Sequence, residues 1–224
     1  MIIAIDGPAG AGKSTVAQEL AKTLGYQLVD TGAMYRTVAF EALNAGVDLG
    51  DEEAVAKIAR TLSFEFRFVE GENVVFCNGK ALDQEIRTAE VSRAASIISA
   101  HPDVRTAMVE QQQRVGRGRS SVLEGRDIGT VVFPDAEVKA FVTASAETRA
   151  RRRLEQMEEC GEDGDYQEVL KEIVARDKRD TEREVAPLKQ AEDAVVVDTT
   201  EMTIEEVLRV LRARVEAVRS PRGE

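Results

Sequence analysis

The sequence predicts an α/β fold, a doubly wound core of five parallel strands with helices on both faces. Three observations predict it. Short apolar runs alternate with helical periodicity through most of the chain. The first run leads directly into Gly7-Pro8-Ala9-Gly10-Ala11-Gly12-Lys13-Ser14, a glycine-rich loop between a strand and a helix. Between Phe64 and Gly79 the period falls to two, which reads as an antiparallel meander inserted into the alternating pattern.

Residues 2–5 (IIAI) are short and apolar enough for a parallel strand buried on both faces. Val16, Leu20 and Leu24 recur four apart after the loop, and Gly25 closes that helix. YQLVD, residues 26–30, is the second core strand. Helical patterns cover 32–45 and 51–62. Phe64, Phe66 and Phe68 then alternate with Glu65 and Arg67, as a half-exposed strand does. VVFC follows, and Asn78-Gly79 is the strongest short hairpin signal. Helices are expected at 88–100 and 103–115, the second opened by Pro102. SSVLEG (120–125) and EVKAFVTA (137–144) resume the core, and a helix starts near Ser145. GEDGD, at 161–165, reads as an acidic loop. Asp165, with Glu168 three residues on, caps a helix from Tyr166 that Pro187 ends. AVVVD (194–198) is the fifth core strand. Thr203 and Glu206 form a capping-box pattern for a last helix, which carries Val207, Leu211 and Val215 on one face. One domain over 1–224 with an insert is therefore expected, rather than two domains.

The chain of 224 residues has a formal net charge of -11, which argues against a general nucleic-acid binder. Of its 30 Lys and Arg, 22 are Arg, the residue suited to a bidentate grip on phosphate or carboxylate. Cys77 and Cys160 match no metal spacing. The opening MIIAIDG lacks the basic flank and cleavage site of a secretory leader. No apolar run approaches the ~20 residues that span a bilayer. A cytoplasmic setting with no membrane partner is expected, and a monomer, because no long apolar stripe demands a second copy. His101, before Pro102, reads as a surface residue.

The glycine-rich loop fits GxxxxGK[ST], and its strand-to-helix context is the one that motif requires. Glycines let backbone N–H groups curl around an anion, and the next helix presents its positive end to it. The chemistry is that of nucleoside triphosphate binding by residues 7–15: Gly7, Pro8, Ala9, Gly10, Ala11, Gly12, Lys13, Ser14 and Thr15. Lys13 reaches the β- and γ-phosphates, and Ser14 ligates Mg²⁺. No guanine-reading NKxD follows, and the small size points to a kinase for a small acceptor.

Two further clusters have helical spacing. Arg149, Arg152 and Arg153 follow i, i+3, i+4, and Arg176, Asp180 and Arg183 follow i, i+4, i+7. With the acidic loop between them they suit a mobile lid that brings positive charge onto a transferring phosphoryl group. They suit equally a solvated face, paired with Glu155, Glu158, Glu172 and Glu184.

Beyond these patterns the chain resembles the bacterial cytidylate kinases over essentially its full length. The resemblance rests on IAIDGPAGAGKST, LVDTGAMYR, EIRTAEVSRAAS, EGRDIGTVVFPDA and ARDKRDTEREVAPL, in this order and spacing. It implies a P-loop NTPase core with an antiparallel NMP-binding insert at about 36–105 and a helical lid at about 149–176. It implies ATP-dependent, Mg²⁺-assisted phosphorylation of CMP, and usually dCMP, to the diphosphate, within pyrimidine nucleotide metabolism. Ser96, Arg105 and Asp127 are then the expected readers of the cytosine edge. Arg36, Arg126 and Arg183 are expected on the acceptor phosphate, Thr31 beside them, and Arg176 and Asp180 on the ribose. Arg149, Arg152 and Arg153 would face the donor phosphates. Lys13, Arg126, Arg183 and the lid arginines are the expected catalytic set, and no general base is expected, because the acceptor oxygen is already an anion.

Overall fold

A computed structural model describes residues 1–159, 161 and 163–220. Cys160, and Glu162 of the expected GEDGD loop, lie outside the described residues.

Five strands form one all-parallel sheet: β1 (Ile2–Asp6), β2 (Gln27–Asp30), β6 (Ser121–Gly125), β7 (Val138–Thr143) and β8 (Val195–Asp198). Their order is β2-β6-β1-β7-β8. Leaving β1 the chain steps one way to β2, and leaving β6 it crosses β1 the other way to β7. This is the reversal beside which open α/β sheets bind ligands at the strands' carboxyl ends. Parallel register sets Asp30 against Glu124, and Asp6 against Gly125. The carboxyl ends of three strands therefore place three carboxylates along one edge.

The helices are α1 (Lys13–Leu24), α2 (Thr31–Asn44), α3 (Glu52–Thr61), α4 (Ala89–Ile98), α5 (Pro102–Arg117), α6 (Ala146–Glu159), α7 (Tyr166–Glu182) and α8 (Ile204–Arg219). On one sheet face Val16, Leu20, Val207 and Leu211 of α1 and α8 pack against Ile3, Ile5 and Val142. On the other, Met34, Val38, Val104 and Met108 of α2 and α5 join Val29 and Leu123 in a second core. None of the described helices is long and apolar enough to cross a membrane.

The insert contains the antiparallel strands β3 (Phe64–Val69), β4 (Glu72–Cys77) and β5 (Lys80–Leu82), in that order. Phe64 and Phe66 are buried and Phe68 is exposed, so the alternation runs out at the third phenylalanine. Asn78 and Gly79 both take positive φ, 49° and 81°, as a two-residue hairpin between twisted strands requires.

The structure corrects two expectations. His101 is not a free surface residue. It is half-buried before α5, and its Nε2 lies 2.8 Å from the Leu49 carbonyl oxygen. Pro187 does not end α7: the helix stops at Glu182 because Arg183 turns to ψ 141°. Past Asp127 the chain turns before β7. Ile128–Val132 closes a five-residue π-type turn, with Val132 N donating to the Asp127 carbonyl at 3.1 Å.

Candidate active site

Residues Gly7–Gly12 link β1 to α1 and carry the three positive φ angles of this loop, at Gly7, Gly10 and Gly12. At Gly7 the requirement is absolute, since a Cβ there would lie 1.9 Å from the Val142 carbonyl oxygen. Lys13 opens α1, buried, and its Nζ donates to the Pro8 carbonyl at 2.7 Å across the loop. Burial and the neighbouring Arg126 guanidinium push the Lys13 ammonium down to about 7. Ser14 Oγ donates to Glu124 Oε2 at 2.8 Å. Burial and the Asp30 carboxylate push Glu124 up to about 7.

Beside this loop lies a cavity of about 230 Å³. It brings together Ala9, Gly10, Lys13, Ser14, Thr31, Arg36, Ser96, Arg105, Arg126, Asp127, Arg176, Asp180 and Arg183, residues drawn from six separate stretches of the sequence. Six cationic and four carboxylate side chains line it, an excess of two positive charges in a chain of net charge -11. An anionic ligand fits that balance.

The cationic groups are pre-set by carboxylates. Asp30 caps α2 by accepting from Ala33 N at 2.9 Å and holds Arg36 Nη2 at 3.0 Å. Asp180 accepts from Arg126 Nε at 3.0 Å. Arg36 Nε, Arg105 Nε, Arg176 Nε and Arg183 Nη2 are buried and have no hydrogen-bond partner among the described residues. Burial and Arg126 push Arg176 down to about 10. Donors left unpaired in a buried site are costly unless a ligand accepts from them.

Asp127 follows β6, lines the same cavity and is itself buried. Its Oδ2 accepts from Arg105 Nη2. Its Oδ1 lies 3.5 Å from Arg183 Nη2 and accepts no hydrogen bond from a described residue. Tyr35, also lining the cavity, has a buried hydroxyl without a partner. Thr31 Oγ1 is committed to the Glu124 carbonyl at 2.6 Å, which ties the end of β2 to the end of β6.

The helices α6 and α7 differ in how their arginines are used. Arg149 is buried, its Nη1 reaching the Ala9 carbonyl at 3.2 Å and its Nη2 pairing with Asp177 Oδ2 at 2.6 Å. Arg152 donates to Thr199 Oγ1 at 3.0 Å and stands beside Gly12. Arg153 is exposed and makes no hydrogen bond or ion pair with a described residue. Thus two of that trio turn toward the glycine-rich loop and the third does not, while Arg176, Asp180 and Arg183 all line the cavity. Glu155 and Glu158 pair with none of them.

Sequence reasoning missed Asp6, Asp30, Tyr35, Glu124 and Asp177. Asp6 Oδ1 and Oδ2 accept from Ile128 N at 2.8 Å and Gly129 N at 2.7 Å, contacts more than a hundred residues apart in the chain. Glu124 was visible as a charge closing an apolar run and Asp30 as a capping residue at a helix start; Asp6, Tyr35 and Asp177 carried no local signal.

No three His, Cys, Asp or Glu side chains cluster as a metal cage among the described residues. Ser14 and Glu124 nevertheless present a hydroxyl and a carboxylate in contact at the end of the loop, a hard oxygen pair suited to sharing a cation with phosphate and water.

A family model described as Cytidylate kinase matches residues 3–217. A cytidylate kinase of Pasteurella multocida is 47% identical over 208 residues, covering 93% of this chain and 92% of that protein. One from Geobacter is 49% identical over 216 residues, covering 96% and 92%. One from Bacillus cereus is 48% identical over 217 residues, covering 96% of each. A solved structure of an uncharacterized protein from Eubacterium ventriosum shares the fold, with TM-score 0.55, 12% identity, and coverage of 97% of this chain and 99% of the other.

Proposed function

The chain belongs to the cytidylate kinase family, and from that premise we propose that it transfers the γ-phosphoryl group of ATP to CMP and dCMP, giving CDP and dCDP. The observation that carries the choice of base is Asp127, a buried carboxylate with one oxygen held by Arg105 and the other without a hydrogen bond. The free oxygen suits the exocyclic amine of cytosine. Uracil would turn a carbonyl oxygen toward it, acceptor against acceptor, and a site built on such bonds rejects the mismatch strongly. Ser96 and Arg105 serve the remaining acceptors of the cytosine edge.

Arg36, Arg126 and Arg183 clamp the acceptor phosphate, where planar donor forks match the oxygens. Arg176 and Asp180 take the ribose. Residues 7–15 cradle the donor phosphates, with Lys13 on the β- and γ-oxygens. Arg149 and Arg152 approach the same loop from α6. The insert, about 36–105, and the helices, about 149–176, act as the two jaws that close on the nucleotides. Ser14 and Glu124 would hold Mg²⁺, which when bound would supply charge neutralisation at the phosphates. The protein's share is alignment: both nucleotides are held in line, with fixed positive charge around the transferred group. The acceptor oxygen is anionic, so no base is required.

A coupled assay of ADP release with CMP, dCMP, UMP and dTMP tests the reading. CMP is expected to lead. A clear preference for UMP would overturn the base assignment, and ATP binding without turnover on any acceptor would overturn the activity.

A further inference from the structure

Asp6 belongs to no group in the mechanism above, yet it is among the more costly residues in the molecule. It is 4% exposed, at the end of β1, immediately before the first glycine of the phosphate loop. Burying a carboxylate costs several kcal/mol unless hydrogen bonds replace its water. No cationic side chain bonds it. Its two oxygens instead take the amides of Ile128 and Gly129, at 2.8 and 2.7 Å. Those are the two residues that follow Asp127. The Asp127 carbonyl accepts from Val131 N at 2.9 Å and from Val132 N at 3.1 Å. The backbone of Asp127 is thereby gripped from both sides: by Asp6 just after it and by the π-type turn on its carbonyl. Gly129 sits close in this joint, since a Cβ there would lie 3.2 Å from Lys139 Cδ and 3.5 Å from Asp6 Oδ2.

We propose that Asp6 is a positioning residue for base selection: it fixes the Asp127 carboxylate relative to the phosphate loop, and so sets which pyrimidine edge fits when the phosphates are seated. The strand that starts the phosphate loop and the segment that reads the base are joined through one side chain. A shift of Asp127 by a few tenths of an ångström would leave phosphate binding intact and degrade the discrimination between an amine and a carbonyl. The inference rests on the base-reading role proposed for Asp127.

The test is the ratio of kcat/KM for CMP to that for UMP in wild type and Asp6→Asn, with KM for ATP measured alongside. Asparagine keeps the size and turns an amide nitrogen toward one backbone N–H. The ratio is expected to fall about ten-fold in Asp6→Asn while KM for ATP moves less than about three-fold. In an Asp127→Ala background, Asp6→Asn should lower the ratio no further, because it acts through Asp127. Should Asp6→Asn fail to fold, Gly129→Ala displaces the same joint from its other side and is expected to lower the ratio in the same sense. An unchanged ratio in the folded variants, or equal losses for ATP and CMP, overturns the proposal. A wild type with no preference for CMP overturns the Asp127 reading instead, so the two failures are distinguishable.

Discussion

At Asp127 one carboxylate oxygen accepts a hydrogen bond from Arg105 and the other accepts none, and the proposed choice of base rests on that asymmetry. Asp127→Ala is predicted to raise KM for CMP by about ten- to a hundred-fold, the range for losing a charged hydrogen bond, with KM for ATP little changed. Steady-state kinetics in both substrates checks this; equal rises in the two would remove Asp127 from the base. Asp6 makes a second, thermodynamic prediction. Burial, opposed by its two amide bonds, lifts its carboxyl from 3.8 to about 6. The folded state thus holds this proton more tightly than the unfolded chain. The stabilisation from this group is complete below pH 3.8 and is lost as pH rises through about 6. Wild type, compared with Asp6→Asn, is therefore expected to lose up to about 3 kcal/mol between about pH 4 and pH 6. Urea melts at the two pH values measure it, and parallel pH slopes in the two proteins would contradict it.

Among the elements, α8 is built to hold its end without help from the site. Thr203 accepts from Glu206 N at 3.3 Å while Glu206 Oε2 accepts from Thr203 N at 2.8 Å. Thr203→Ala is expected to cost about 1 kcal/mol of stability and leave kcat and both KM values unchanged. Thermal melts and assays together check this, and a kinetic effect would place the cap in the catalytic apparatus. The capping pair was legible in the sequence because both partners lie within one turn. The central strand was legible for a related reason: a strand covered on both faces must be apolar, and Ile3, Ala4 and Ile5 are fully buried, whereas the apolar run of β8 lies at the sheet edge with Val196 exposed. The turn at IGTVV takes part of its support from the Asp6 carboxylate, brought in from β1, and no local pattern announces that partner. Tyr35 escaped notice because its place in the cavity depends on how α2 packs, whereas the partners of Asp30, Ala33 and Arg36, lie within two turns of it. Arg153 shares the helical spacing of Arg149 and Arg152 but lies exposed on α6.

In the whole molecule, a sheet with two apolar cores brings the carboxyl ends of its strands to one edge, and the insert and α7 bring arginines to the same edge. The cavity there is cationic although the chain is strongly acidic. The phosphate loop alone suits a nucleotide; Asp127, paired with Arg105 and Arg183, is the residue proposed to make the site one for cytosine. The measurement that tests this most directly is kcat/KM of the wild-type protein for CMP against UMP, at saturating ATP and Mg²⁺. The account predicts CMP favoured by at least about a hundred-fold, as expected when the wrong base leaves a buried acceptor facing an acceptor. Equal values, or a preference for UMP, would contradict it.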